Sequence, residues 1–320
     1  MNKAIFLCIV CLICGIALLK ANDVSSKAND VSLNLPEPPQ LLLEKMHKFK
    51  TFTGKGLEDF IGKIPELLEI ESVFYPFGGA DALYPLLVFP NVRYITLVGL
   101  ERTGRASEIS SKNMYTSCSR NMDSLLRRSF FVTMDMQTSL SREQGVAPCI
   151  LTQLSLLGAK DVKVSTSNTP APHLKIVFNY KNKERILMYY RVNLQDDNIP
   201  TQLLVSLKED KLTQAVLLKA TSYTPHQQGF AKIKEFIKDA ASVIVQDDSG
   251  IPIRDLKDTH TLRTFGQYHK PIMKVFKGYA QKDLQEKTSA NKEKLPFCFG
   301  YGCSRISSTL ILATKNTQTD

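Results

Sequence analysis

The sequence predicts an α/β fold: a doubly wound, mostly parallel sheet of about seven strands with a β-hairpin insertion. Three observations lead there. Short apolar runs at 73–77, 94–99, 215–220 and 242–246 have the length and composition of strands buried on both faces of a parallel sheet. Segments with apolar residues spaced three and four apart stand between them, as crossover helices require. One stretch, 174–192, changes instead to a period of two.

The elements follow in order. Lys3 precedes an uninterrupted apolar run from Ala4 to Leu19. That run is shorter than the ~20 residues of a spanning helix and reads as a signal core. Residues 1–21 are therefore expected to be a signal peptide, the protein periplasmic or secreted, and no stable membrane span to remain after cleavage. The tandem K-A-N-D-V-S-S, K-A-N-D-V-S-L and the proline-rich L-P-E-P-P carry too little apolar surface to offset ordering entropy, so 22–40 reads as a flexible linker. The remainder, 41–320, is expected to form a single α/β domain.

Leu41 to Lys50 reads as helical, and Leu57, Phe60, Ile61 and Ile64 continue a helix face until Pro65. Val73 to Phe77 is the first strand, Ala80 to Phe89 a short helix ending before Pro90-Asn91, and Tyr94 to Gly99 the second strand. A serine-rich loop and a helix with a Met122, Leu125, Leu126 stripe follow; Phe130 to Met134 is compatible with either strand or helix. Gly145 to Gly158 is helical and delivers the strand Asp161 to Ser165. Leu174, Ile176, Phe178 and Tyr180, then Ile186, Met188, Tyr190 and Val192, alternate about a K-N-K-E turn. This predicts a hairpin with one buried face, inserted at 173–193 over a face or rim of the main sheet. Ala215 to Ala220, the helix Gln227 to Ala241, and Ser242 to Gln246 resume the α/β rhythm. Phe265 to Tyr268 and Leu295 to Tyr301 are expected to close the sheet around a helix over Ile272 to Gln285.

The formal charge of +10 falls to +8 when Lys3 and Lys20 leave with the signal. A basic chain attracts anionic partners, and an anionic envelope surface is one candidate. The cations are scattered and Arg127-Arg128 lacks interleaved aromatics, which argues against nucleic acid. Four cysteines survive export: Cys118, Cys149, Cys298 and Cys303. They permit three disulfide pairings, and C-F-G-Y-G-C is close enough to staple a local loop, leaving Cys118 with Cys149. Without C-x-x-C or paired histidines, disulfides are expected over zinc.

In a doubly wound sheet, ligands bind beyond the carboxyl ends of the strands. Gly78, Gly79 and Asp81 follow the first predicted strand and Glu101 the second. Ser222, Tyr223 and His226 follow the fourth; Asp247, Asp248, Ser249 and Gly250 follow the fifth. Gly78 and Gly79 permit a sharp turn and close approach to a ligand, and Glu101 can accept a sugar hydroxyl. Asp81 can equally cap its helix. Asp247 and Asp248 can hold a divalent cation or supply a general base, or Asp248 can form an Asx turn with the following backbone. His226 is a candidate acid or base. The absence of G-x-S-x-G, H-E-x-x-H and G-x-x-x-x-G-K-[ST] removes the commonest hydrolase and NTPase routes.

The motifs F-Y-P-F-G-G-A-D, F-P-N-V-x-Y with V-G-L-E, Q-D-D-S-G-I-P and L-P-F-C-F-G-Y-G resemble those of an uncharacterised family of exported bacterial proteins. More distantly, the layout is similar to the class I methyltransferase (Rossmann-like) fold. That resemblance implies a glycine turn at Gly78-Gly79 and a ribose-binding acid at Glu101. Tyr75-Pro76-Phe77 stand where that family carries an acid before a G-x-G-x-G loop. The expected function is recognition of a small polar ligand at the strand-end edge by Gly78, Gly79, Asp81, Glu101 and the Asp247-Asp248 pair. The alternatives are a methyltransferase-like enzyme, a metal-assisted hydrolase using Asp247 and Asp248, and a catalytically inactive envelope or host-interaction protein. Cofactor and metal are left open.

Overall fold

The computed structural model describes residues 31–104, 111–132, 145–271, 274–305 and 308–316. The expected signal peptide at 1–21 lies outside the described residues. Ten strands form one sheet: β1 (Val31–Leu33), β2 (Ser72–Tyr75), β3 (Tyr94–Gly99), β4 (Lys160–Ser167), β5 (His173–Tyr180), β6 (Lys183–Arg191), β7 (Ala215–Leu218), β8 (Val243–Gln246), β9 (His260–Gly266) and β10 (Thr309–Lys315). Their spatial order is β1-β4-β5-β6-β3-β2-β7-β8-β10-β9. The α/β class stands, but the expectation of about seven mostly parallel strands needs correction. Of the nine pairings, five are antiparallel and four parallel.

The parallel pairings are contiguous, joining β6, β3, β2, β7 and β8. Numbered by their place in the chain, these five lie in the order 3-2-1-4-5, that of doubly wound sheets. The order reverses between β2 and β7. β2, β7 and β8 are buried at every residue. One apolar layer gathers residues of helices Gln40–Phe49, Leu83–Val88, Ser111–Arg128 and Ala147–Leu157, and the opposite layer those of Thr201–Glu209, Ala231–Ala240 and Ile253–Leu256.

The antiparallel additions explain the miscount. The hairpin does not lie over the sheet; it joins it, with β6 pairing parallel to β3 and β5 antiparallel to β6. β6 consequently buries both faces, with Arg185, Leu187 and Tyr189 on one side as well as Tyr190 on the other. The Arg185 guanidinium is accommodated by carbonyls, donating to Val92 O and, at 2.9 Å, to Pro90 O. The hairpin turn has Lys181 and Asn182 both at positive φ, 51° and 59°, the signature of a two-residue turn matched to strand twist.

Within the stretch expected to be a linker, Val31–Leu33 pairs with β4 as an edge strand. The Pro36 carbonyl also accepts from the hydroxyls of Tyr115 and Ser155. That part is therefore tied to the domain. Leu295 to Tyr301 is not a strand: the closing strand is β10, fourteen residues further on, and β9 begins at His260 rather than Phe265. Cys118–Cys149 and Cys298–Cys303 are disulfide-bonded, with Cα separations of 5.0 and 4.8 Å. The first clamps helix Ser111–Arg128 to helix Ala147–Leu157.

Candidate functional site

A cleft of about 300 Å³ opens at the carboxyl ends of β2, β3, β6 and β7, beside the reversal of strand order. Doubly wound sheets place their ligands at such a point because the crossovers there diverge to opposite faces. Gly78, Gly79, Asp81 and Glu101 line it, as the sequence led us to expect. Asp247, Asp248 and His226 do not.

The turn after β2 is made by Phe77 and Gly79, at φ 65° and 56°. Gly78 is required for a different reason: a Cβ there would lie 2.7 Å from the Tyr75 ring. Gly99 ends β3 under a similar constraint, since a Cβ would stand 2.6 Å from both Glu101 Oε2 and the Tyr189 hydroxyl. This closeness fixes Glu101. Its Oε2 and its carbonyl each accept from Tyr189 at 3.1 Å. No described group donates to Oε1, so a lone pair remains for a ligand in the cleft. Phe77, Phe130, Phe131 and Phe230 supply apolar wall, and Asn193 and Gln195 supply amides.

Asp81 serves the framework. Its Oδ1 accepts from Tyr84 N at 3.1 Å, capping the short helix Leu83–Val88, and its Oδ2 lies 3.0 Å from Lys219 Nζ. Lys219 is fully buried at the end of β7, donates to Ser129 O, and sits 3.8 Å from the centre of the Tyr84 ring. Burial pulls the Lys219 pKa below the ordinary lysine value, with Asp81 opposing. Burial and then Asp81 push the Tyr75 phenol well above its usual range. The remaining amides at this helix start, Ala82 N and Leu83 N, both donate to Gln153 Oε1, at 2.9 and 3.0 Å.

Asp247 is held one layer behind the cleft. Its Oδ1 accepts from Ser249 N and Oγ at 3.0 and 2.5 Å, and its Oδ2 from Ala220 N and Tyr301 N, both at 3.0 Å. Four donors occupy both oxygens, so no lone pair is left for a cation. Burial pushes this carboxyl above the usual range, and the donors pull it back. An Asx turn does form here, but at Asp247, through Ser249 N, rather than at Asp248, where the sequence predicts it. Asp248 Oδ2 accepts from the Tyr223 hydroxyl. Among the described residues, no three His, Cys, Asp or Glu side chains gather as a metal site. Of the pair on which the metal-assisted hydrolase reading rests, Asp247 thus has both oxygens engaged by protein donors.

These bonds hold an unusual loop. Ala220, Ser222 and Tyr223 adopt φ of 52°, 58° and 54°, a left-handed region costing non-glycine residues about 1–2 kcal/mol each. Besides Asp247, Ser249 Oγ accepts from Thr221 N at 2.8 Å and Tyr301 Oη from Ser222 N at 3.2 Å. Ala220, Thr221 and Ser222 line the cleft, so the loop shapes it.

His226 faces a second depression of about 530 Å³, with Arg254, Lys257 and Tyr279. Its ring packs edge-on against Tyr223 and Tyr279, and burial lowers its pKa from 6.5 to about 4. Between those values the unfolded chain takes up a proton that the folded chain refuses. Stability is therefore full above about pH 6.5 and falls as pH drops towards 4, by at most about 3 kcal/mol. His226→Phe is expected to narrow the difference in melting temperature between pH 7.5 and pH 4.5. His260, which burial shifts in the same direction, keeps part of that difference.

Lys219, Gly99, Gln153 and Tyr189 are site residues that the sequence alone did not single out. Only Lys219 left a sign, as one cation inside the apolar run A-V-L-L-K-A. No protein-family model matches the chain, and no curated protein matches it at a significant level.

Proposed function

We propose that the chain is an exported binding domain whose cleft takes a small, unphosphorylated polar ligand bearing vicinal hydroxyls, of nucleoside type. The observation that carries this reading is Glu101: a buried carboxylate lining the cleft at the exit of the second parallel strand, with Oε2 held by Tyr189 and no donor to Oε1 among the described residues. A carboxylate so placed accepts hydroxyl pairs, and the aromatic wall suits a flat ring. Phosphate is disfavoured by the same geometry. The helix-start amides that cradle phosphates in dinucleotide folds are already occupied by Gln153 and Asp81, and Lys219 is committed to Asp81.

Thermal shift tests this directly. Adenosine at a hundred times its dissociation constant stabilises by about 2.7 kcal/mol, a rise of several degrees, while adenosine monophosphate gives little or none. Glu101→Gln is expected to weaken adenosine binding about 10- to 100-fold, the worth of a hydrogen bond to a charged group. Equal binding of the monophosphate, or an unchanged shift in the variant, would count against the reading.

A second reading, a methyltransferase-like enzyme, is favoured by the 3-2-1-4-5 strand order and the glycine turn before Glu101. S-adenosylmethionine binding that is lost in Glu101→Gln supports it. An inactive envelope protein is less well served, because the strand-end edge is an open cleft rather than one filled by side chains.

A further inference from the structure

Along helix Gln40–Phe49, the π turn Lys50–Gly54 and helix Lys55–Ile61, the residues Leu42, Met46, Phe49, Thr53 and Leu57 point inward. One position earlier, Leu41, Lys45, Lys48 and Phe52 repeat the same four-three-four spacing and so share one flank. Leu41 is 62% exposed and Phe52 76%. The flank continues onto helix Ser111–Arg128, because Asp123 accepts from Lys45 at 2.8 Å and from Arg127 at 2.7 Å. Arg120 lies on the same side of that helix, three residues before Asp123. Four cations thus share this face with two exposed apolar side chains, Asp123 pairing with two of them and Glu44, bonded to Gln40, at the margin.

We propose that this face docks on an anionic lipid bilayer, with Phe52 and Leu41 at the headgroup boundary and Lys45, Lys48, Arg120 and Arg127 over the lipid charges. A cationic helix flank with protruding apolar side chains lies on a membrane rather than across it. No helix among the described residues is long and apolar enough to cross one. Charge complementarity selects the partner: a second copy of this face would oppose cation to cation.

The chain has no tryptophan, so Phe52→Trp places a single indole on the face. In the chain from residue 22 onward, which lacks the apolar run, its emission is expected to shift to the blue on adding vesicles of mixed phosphatidylglycerol and phosphatidylcholine. With phosphatidylcholine alone no shift is expected, and high salt should reverse the shift. Adding Lys48→Glu and Arg120→Glu should lower the partition into anionic vesicles at least about 25-fold, two cations at roughly fivefold each. An indole that stays water-exposed with anionic vesicles overturns the proposal, as does an equal shift with both lipids. A shift that grows with protein concentration without lipid assigns the face to a second copy instead.

Discussion

An Asp247→Ala chain is expected to lose about 3–5 kcal/mol of stability, lowering its melting temperature by roughly 6–20 °C. The carboxylate is 1% exposed and accepts from three backbone amides and one hydroxyl. Truncation leaves those donors without an acceptor, each costing about 1–3 kcal/mol less whatever water entering the cavity restores. The loop at Ala220 is also released from its left-handed conformation, so the cleft wall relaxes with it. Asp247→Asn falls between, since its amide keeps one acceptor but presents a donor to the other pair. Thermal melts of the three proteins provide the check, and an alanine variant melting within about 2 °C of wild type would mean that the four bonds carry no net stability.

Lys219→Met is the second large effect, again about 3–5 kcal/mol, because it strands the Asp81 charge in a site that is 1% exposed. Asp81 keeps the Tyr84 amide and the Tyr75 hydroxyl but loses its counter-ion. The prediction is therefore non-additive: Lys219→Met with Asp81→Asn is more stable than Lys219→Met alone, by about 1–3 kcal/mol. The asparagine still accepts from Tyr84 N and leaves no buried charge behind. Urea titration of the two single variants and the double gives the coupling directly, and simple additivity would show that the pair is not an energetic unit.

The parallel centre was legible because burial on both faces writes a plain apolar run; Tyr94–Gly99 was bounded correctly for that reason. Gly78, Gly79, Asp81 and Glu101 could be placed at the cleft because position beyond a strand end is a local property. The failures are non-local. Ile186, Met188 and Tyr190 suggested a one-faced hairpin, since nothing in that alternation reveals that β3 waits on the far side of β6. Leu295 to Tyr301 resembles a strand in composition, yet Gly300 stands at φ 60° against the Asp247 carboxylate, a backbone conformation no strand allows. Asp247 itself looked like a ligand group, because a carboxylate reserved for amides and one reserved for a substrate have the same letters. Lys219 and Gln153 acquire their meaning only from Asp81 and from the amides of Ala82 and Leu83, far away in the chain.

β10, the last strand in sequence, does not sit on the rim of the sheet but is wedged between β8 and β9. A polypeptide made amino-terminus first must therefore hold β9 without a neighbour until residues 309–315 have been added. Completion of this half of the sheet thus waits on the last described strand, although the Tyr301 amide that grips Asp247 is made before it.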